Sequence, residues 1–233
     1  MSLIVWGYFL FSYKLREDDS EMMWAFLNDV FQRIVTFNKL EQRRHLARNL
    51  TTLPLKPGSK CLDFGCGTAL FTPVFSELNL SYYGYDIDHR LIDYASRIYK
   101  NKYFTSSWKN LETVAPFDLI LANCCFHHID SRTLDEELHN ISALLSDNGI
   151  FIMIDILFPH NDSHWLRNIF RKLERGAFIR TADDYSIQIR RHFKIMQKKT
   201  ERSHLFSLNN NPVYNDLLVL TCRKTRVGNG SSH

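Results

Sequence analysis

The sequence predicts an open α/β sheet, and three observations carry that prediction. Residues 60–70 read KCLDFGCGTAL: a short apolar run ends in Asp63, a glycine-rich turn follows, and an apolar helix-like segment begins. This is a strand, a tight turn and a helix N-terminus, with glycines where backbone must approach a ligand closely. Tyr82-Tyr83-Gly84-Tyr85-Asp86 then reads as a second strand ending in an acid. An acid about 20 residues beyond a glycine-rich turn suits a ribose hydroxyl pair, so a nucleoside-containing cofactor is expected. From there strands and helices alternate to about Leu157, which implies a parallel sheet.

The elements follow in order. Residues 3–13, LIVWGYFLFSY, are apolar but shorter than the roughly 20 residues that span a bilayer, and they lack the flanks of a signal peptide. They are expected to pack on the domain or a partner, with peripheral membrane contact as the alternative. Residues 21–37 place Met23, Phe26, Leu27, Val30 and Ile34 at helical spacing. A second helix over about 40–50 carries Arg43, Arg44 and Arg48, read as a solvated face. Pro54, Pro57 and Gly58 end this N-terminal part. Pro73 is tolerated early in the helix after the glycine turn. Thr133 and Glu136 predict a capping box for the helix bearing Leu134, Leu138, Ile141 and Leu145. Beyond the fifth strand, helices are expected over 163–174 and 181–191. Strands over about 192–200 and 214–222 should follow, separated by Asn209-Asn210-Asn211-Pro212. Three segments result: an N-terminal helical extension over 1–57, a cofactor-binding domain over 58–224, and a disordered tail over 225–233.

Composition narrows the class. The chain has 233 residues, 45% of them hydrophobic and 13% aromatic, which suits one globular domain. A net charge of +4 is too small to argue for nucleic acid. The five cysteines are odd in number and form no C-x-x-C, so they read as free thiols of a reducing cytoplasm, with no metal site.

The glycine turn also discriminates among cofactors. A dinucleotide fingerprint places Leu70 where a third glycine permits close helix–strand packing, and no Walker loop is present. The pattern instead resembles motif I of the class I S-adenosylmethionine-dependent methyltransferases, in their type 11/12-like, small-molecule branch. Asp63, Gly65 and Gly67 match D/E-x-G-x-G-x-G, and Ala69 replaces the third glycine as a mild departure. The resemblance runs over residues 58–157. Asp86 matches the acid ending strand two, residues 117–123 (FDLILAN) the fourth strand, Phe126-His127-His128-Ile129 the loop after it, and residues 144–150 (LLSDNGI) the turn into strand five.

That resemblance implies a three-layer α/β/α Rossmann-like sandwich with a mostly parallel seven-stranded sheet and an antiparallel C-terminal strand. It implies S-adenosylmethionine as cofactor and S-adenosylhomocysteine as product. Gly65, Cys66 and Gly67 would run under the methionine and ribose moieties, Asp63 would order the loop or meet the ammonium group, Asp86 would take the ribose hydroxyls and Ile87 would pack on adenine. Ser106 or Ser107 would meet the adenine amino group, Trp108 would stack, and Asn123 would face the crevice. His127 and His128 are the candidate bases, because neutral imidazole suits a hydroxyl or amine near pH 7. Arg175 and Arg180 are candidates to clamp an anionic acceptor. The resemblance implies methyl transfer to oxygen or nitrogen of a small molecule, such as a glycan precursor or secondary metabolite, by a monomer or homodimer. Methylation of protein or RNA, and a non-catalytic cofactor-binding subunit, are the alternatives.

Overall fold

Period-two alternation on the central strands decides the architecture. In the computed structural model, which describes residues 21–27, 29, 39–157, 178–208 and 211–225, Leu62 and Phe64 of β1 (Lys60–Phe64) join one apolar cluster and Cys61 joins another. On β4 (Phe117–Asn123), Ile120 and Ala122 face the first cluster while Leu119 and Leu121 face the second. On β5 (Leu145–Ile156), Phe151 and Met153 alternate in the same way with Ile150, Ile152 and Ile154. A sheet apolar on both faces needs cover on both. Helices α1 (Lys39–Thr51), α2 (Thr72–Glu77) and α3 (His89–Ile98) contribute to one cluster. Helices α4 (Trp108–Val114), α5 (Ser131–Leu144) and α6 (Ala182–Arg190) contribute to the other. The result is the expected three-layer sandwich.

With β2 (Ser81–Tyr85), β3 (Tyr103–Thr105), β6 (Phe193–Leu208) and β7 (Asn211–Lys224), the seven strands lie in the order β3-β2-β1-β4-β5-β7-β6. Strands β1 to β5 pair in parallel, and β7 pairs antiparallel with both β5 and β6. Strand order reverses between β1 and β4, so the ligand crevice of such a sheet opens beyond their C-terminal ends.

Several element boundaries depart from expectation. Helix α5 begins at Ser131, capped by Asp130, whose side chain accepts from the backbone N–H groups of Arg132 and Thr133 and from the Thr133 hydroxyl. The expected Thr133–Glu136 capping box is thus displaced by an aspartate, a better N-cap three residues earlier. A capping box does form at Thr181 and Asp184, heading α6. The final strands are longer than expected, because β6 and β7 continue to pair with each other after β5 ends at Ile156. The helix expected over 163–174, the apolar run 3–13 and the tail beyond 225 lie outside the described residues, as does most of 28–38. Among the described residues no helix is long and apolar enough to cross a membrane.

The third motif position is strained. Gly65, Gly67 and Ala69 all have positive φ, +72°, +53° and +60°. Ala69 therefore occupies a left-handed conformation that disfavours a Cβ, and its replacement of glycine is less mild than the sequence suggests. The conformation costs roughly 1–2 kcal/mol. Ala69→Gly would remove that cost but lose about 0.8 kcal/mol of methyl burial and about 0.4–1 kcal/mol through a freer unfolded chain. The expected net change in urea unfolding is close to zero. Ala95→Gly, in the buried interior of α3, should by contrast cost about 2 kcal/mol. Equal losses at the two positions would contradict a strained Ala69.

Candidate functional site

The crevice is built where the loops after β1, β2 and β4 meet. Tyr85, the last residue of β2, accepts two hydrogen bonds on its carbonyl, from Gly65 N at 2.8 Å and Cys66 N at 2.9 Å. The next residue, Asp86, accepts from Gly67 N at 2.8 Å through Oδ2 and from Asp88 N at 3.0 Å through Oδ1. Three successive N–H groups of the glycine turn thus fold onto the end of β2. Burial raises the Asp86 pKa, while the backbone N–H donors oppose that shift by favouring the charged form. A Cβ on Gly65 would lie 2.6 Å from the Cβ of Cys125, so the β1 and β4 loops touch at this glycine. Ile87 follows Asp86 with 83% of its surface exposed, an apolar side chain left open at the rim.

Asp63 is placed differently from a ligand contact. It is 2% exposed, and its Oδ2 accepts from the Tyr82 hydroxyl at 2.8 Å. Burial, reinforced by the nearby Asp86 charge and opposed by the Tyr82 hydrogen bond, pushes its pKa up to about 7. Its burial and the Tyr82 bond fit the first of its two expected roles, ordering the glycine turn. Trp108 is half-buried, with its ring edge-on to Tyr85 at 5.6 Å and to Phe64 at 6.4 Å. Ser106 is exposed and Ser107 half-buried. The Thr105 hydroxyl organises this turn, accepting from Ser107 N and Asn110 Nδ2.

Asn123 ends β4, half-buried, and Cys124 after it has a φ of +53°. The chain then makes a 3₁₀ turn over Phe126–His128. His127 is 3% exposed and its Nδ1 lies 2.6 Å from Oδ1 of Asp155, near the end of β5. His128 is exposed, its ring 4.0 Å from that of His127. Burial lifts the Cys125 thiol well above its usual range, which removes the thiolate a nucleophile would need.

Arg180 is held inside the fold. Its guanidinium donates to the carbonyls of Phe126 at 3.0 Å, Phe178 at 2.9 Å and Ile129 at 2.7 Å, and to the Ser131 hydroxyl at 3.3 Å. Those bonds brace the 3₁₀ turn and replace the expected acceptor clamp. Arg175 lies outside the described residues. Among the described residues no cluster of three or more His, Cys, Asp or Glu side chains could hold a metal ion.

Two acids at the site were not expected from sequence. Asp155 had one signal, a lone charge in the apolar run of residues 150–156, IFIMIDI. Asp29 had none. It is 3% exposed and accepts from the Thr68 hydroxyl of the glycine turn at 3.1 Å and from the Tyr94 hydroxyl of α3 at 3.3 Å. Trp24 lies under the Arg90 guanidinium at 4.0 Å, and Arg43 of α1 donates to the Leu70 carbonyl at 3.0 Å. The N-terminal helices are thereby fastened to the cofactor side of the fold.

Comparison with known proteins places this geometry. Residues 37–200 match a family model described as a methyltransferase domain. An uncharacterized methyltransferase of Anoxybacillus flavithermus is 24% identical over 141 residues, 58% of this chain and 64% of that protein. The chain thus spans less than two thirds of that relative's length. A Pyrococcus horikoshii OT3 protein superposes with a TM-score of 0.60 at 16% identity, covering 84% of this chain and 97% of its own. Magnesium protoporphyrin IX methyltransferase from Synechocystis PCC 6803, solved with bound SAH, gives a TM-score of 0.59 at 13% identity and covers 83% and 87%. At these identities the structural likeness is one of fold.

The buried Asp63 makes stability depend on pH in a definite direction. Its folded pKa of about 7 lies above the ordinary 3.8. The folded state therefore holds a proton that the unfolded state has lost, and stability falls as pH rises from about 4 through 7. Asp63→Asn keeps an acceptor for Tyr82 and never ionises. The variant should be the more stable protein at pH 8, by a few kcal/mol at most, and should lose that advantage at pH 4. Denaturation midpoints at the two pH values measure this, and parallel pH profiles for the two proteins would contradict it.

Proposed function

The chain belongs to the methyltransferase-domain family, and from that premise we propose that it binds S-adenosylmethionine and transfers its methyl group to an oxygen or nitrogen of a small-molecule acceptor. The observation that carries the reading is the Asp86 carboxylate holding the Gly67 N–H at the end of β2, with Ile87 open beside it. These residues fit the cofactor. Each Asp86 oxygen accepts one backbone hydrogen bond and retains a second lone pair for a ribose hydroxyl. Ile87 offers the apolar surface an adenine ring needs, and Ser106 and Ser107 stand at the next loop. Gly65, Cys66 and Gly67 supply backbone without a bulky barrier, and Asn123 ends the neighbouring strand across the crevice.

When bound, S-adenosylmethionine supplies a methyl group already activated by its sulfonium. The chain has then to orient the acceptor, exclude water and take up a proton. His127, buried on the β4 loop with its Nδ1 on Asp155, is our candidate to take that proton from the acceptor, with exposed His128 as its neighbour. We read the N-terminal helices, fastened through Asp29 and Arg43, as the cap over the acceptor.

Transfer of label from methyl-tritiated S-adenosylmethionine into fractions of a cell extract tests the reading. Label should enter the metabolite fraction, and label confined to protein or RNA would redirect the acceptor assignment. Calorimetric titration with S-adenosylhomocysteine tests the cofactor separately. Asp86→Ala should weaken binding about 10- to 150-fold, the loss of roughly 1.5–3 kcal/mol of charged hydrogen bonding. An unchanged dissociation constant would show that Asp86 serves the loop alone.

A further inference from the structure

The geometry points to Asp155 as a positioning residue that fixes the tautomer of His127, so that Nε2 carries the lone pair of the base. This rests on the reading of His127 as the proton acceptor.

Asp155 is 1% exposed, and backbone donors reach both of its oxygens. Oδ1 receives Ile156 N at 2.8 Å and faces His127 Nδ1 at 2.6 Å. Oδ2 receives Phe126 N at 2.8 Å and His127 N at 3.2 Å. These three backbone N–H groups, one on Oδ1 and two on Oδ2, present the carboxyl group to the ring as an acceptor. With an accepting oxygen 2.6 Å away, neutral His127 carries its proton on Nδ1. Nε2 is then the ring's acceptor atom. The same logic orients the imidazole of a Ser-His-Asp triad, where the acid holds the ring and does not itself take the proton.

The backbone around the pair is pinned from two further sides. Phe178 N donates to the His127 carbonyl at 3.0 Å, and Arg180 holds the carbonyls of Phe126 and Ile129. Asp155 from β5 meets the imidazole and the His128 ring lies beside it; Cys125 on the same loop and Tyr185 on α6 feel the Asp155 charge, and Arg180 before α6 lies over the Tyr185 ring. Tyr185 is buried, with its phenol influenced by Asp155, Arg180 and Cys125. When Nε2 takes a proton from an acceptor hydroxyl or amine, the imidazolium forms against the Asp155 carboxylate. The positive charge is then balanced inside the fold, and no proton need pass to Asp155.

Asparagine at position 155 cannot reproduce this arrangement. One end of the amide is a donor. Turned toward Oδ2's place, that donor would oppose the two N–H groups of Phe126 and His127. Turned the other way it opposes only Ile156 N, and it then donates to His127 Nδ1. The second arrangement has fewer conflicts, and it forces the histidine proton onto Nε2.

Long-range ¹H–¹⁵N spectra of the histidine rings, assigned with His127→Gln, read the tautomer directly and need no acceptor. At pH 8 wild-type His127 should be neutral with Nδ1 protonated, and Asp155→Asn should show the proton moved to Nε2. A wild-type ring protonated on Nε2, or still an imidazolium at pH 8, would overturn the inference without recourse to any variant. So would a folded Asp155→Asn protein that keeps the wild-type tautomer. In the labelled-methyl assay, Asp155→Asn should lower turnover about 10²–10⁴-fold with S-adenosylhomocysteine affinity unchanged. Because the tautomer is read without catalysis, failure of the Asp155 assignment and failure of the methyl-transfer reading give different results.

Discussion

The site depends on one carboxylate at the end of one strand. Asp86 accepts from Gly67 N and Asp88 N, and these two bonds join the turn after β1 to the helix after β2. Without an acceptor there, the N–H of buried Gly67 would lose its partner, at a cost of roughly 1–3 kcal/mol. The turn takes this shape because Gly65 and Gly67 tolerate positive φ, and because a Cβ on Gly65 would meet Cys125. Backbone geometry and the β4 loop therefore select the same residue type. The acid that closes the turn is also the one we propose for the ribose hydroxyls, so that proposal and the order of the loop rest on a single side chain.

Around that centre, buried polar groups hold loops that apolar packing alone would leave loose. Asp63 and Tyr82 form a hydrogen-bonded pair below the glycine turn. Asp155 holds the β4 loop through Phe126 N and His127 N, and Arg180 holds the same loop through its carbonyls. A carboxylate takes the donors of the turn and a guanidinium takes its acceptors. Buried backbone polar groups must be satisfied somewhere, and here charged side chains from distant parts of the chain do it.

Sequence made the parallel sheet, the glycine turn and the acid of β2 legible, because each depends on residues close together in the chain. It misread features decided by distant partners. Arg180 looked like an acceptor clamp until its carbonyl partners, about 50 residues away, were in view. Asp29 gave no sign of its role, since Thr68 and Tyr94 reach it only through the tertiary fold. The start of α5 was a local error of a different kind: Thr133 carried a recognisable pattern, and Asp130 was the stronger cap.

A crystal structure of the protein with S-adenosylhomocysteine would test the cofactor assignment at the level of atoms. The ribose hydroxyls should lie within hydrogen-bond distance of Asp86, with adenine against Ile87 and the Gly67 N–H still on the Asp86 carboxylate. A nucleoside bound away from the end of β2, or an Asp86 that turns from the ligand to serve the glycine loop alone, would contradict that assignment.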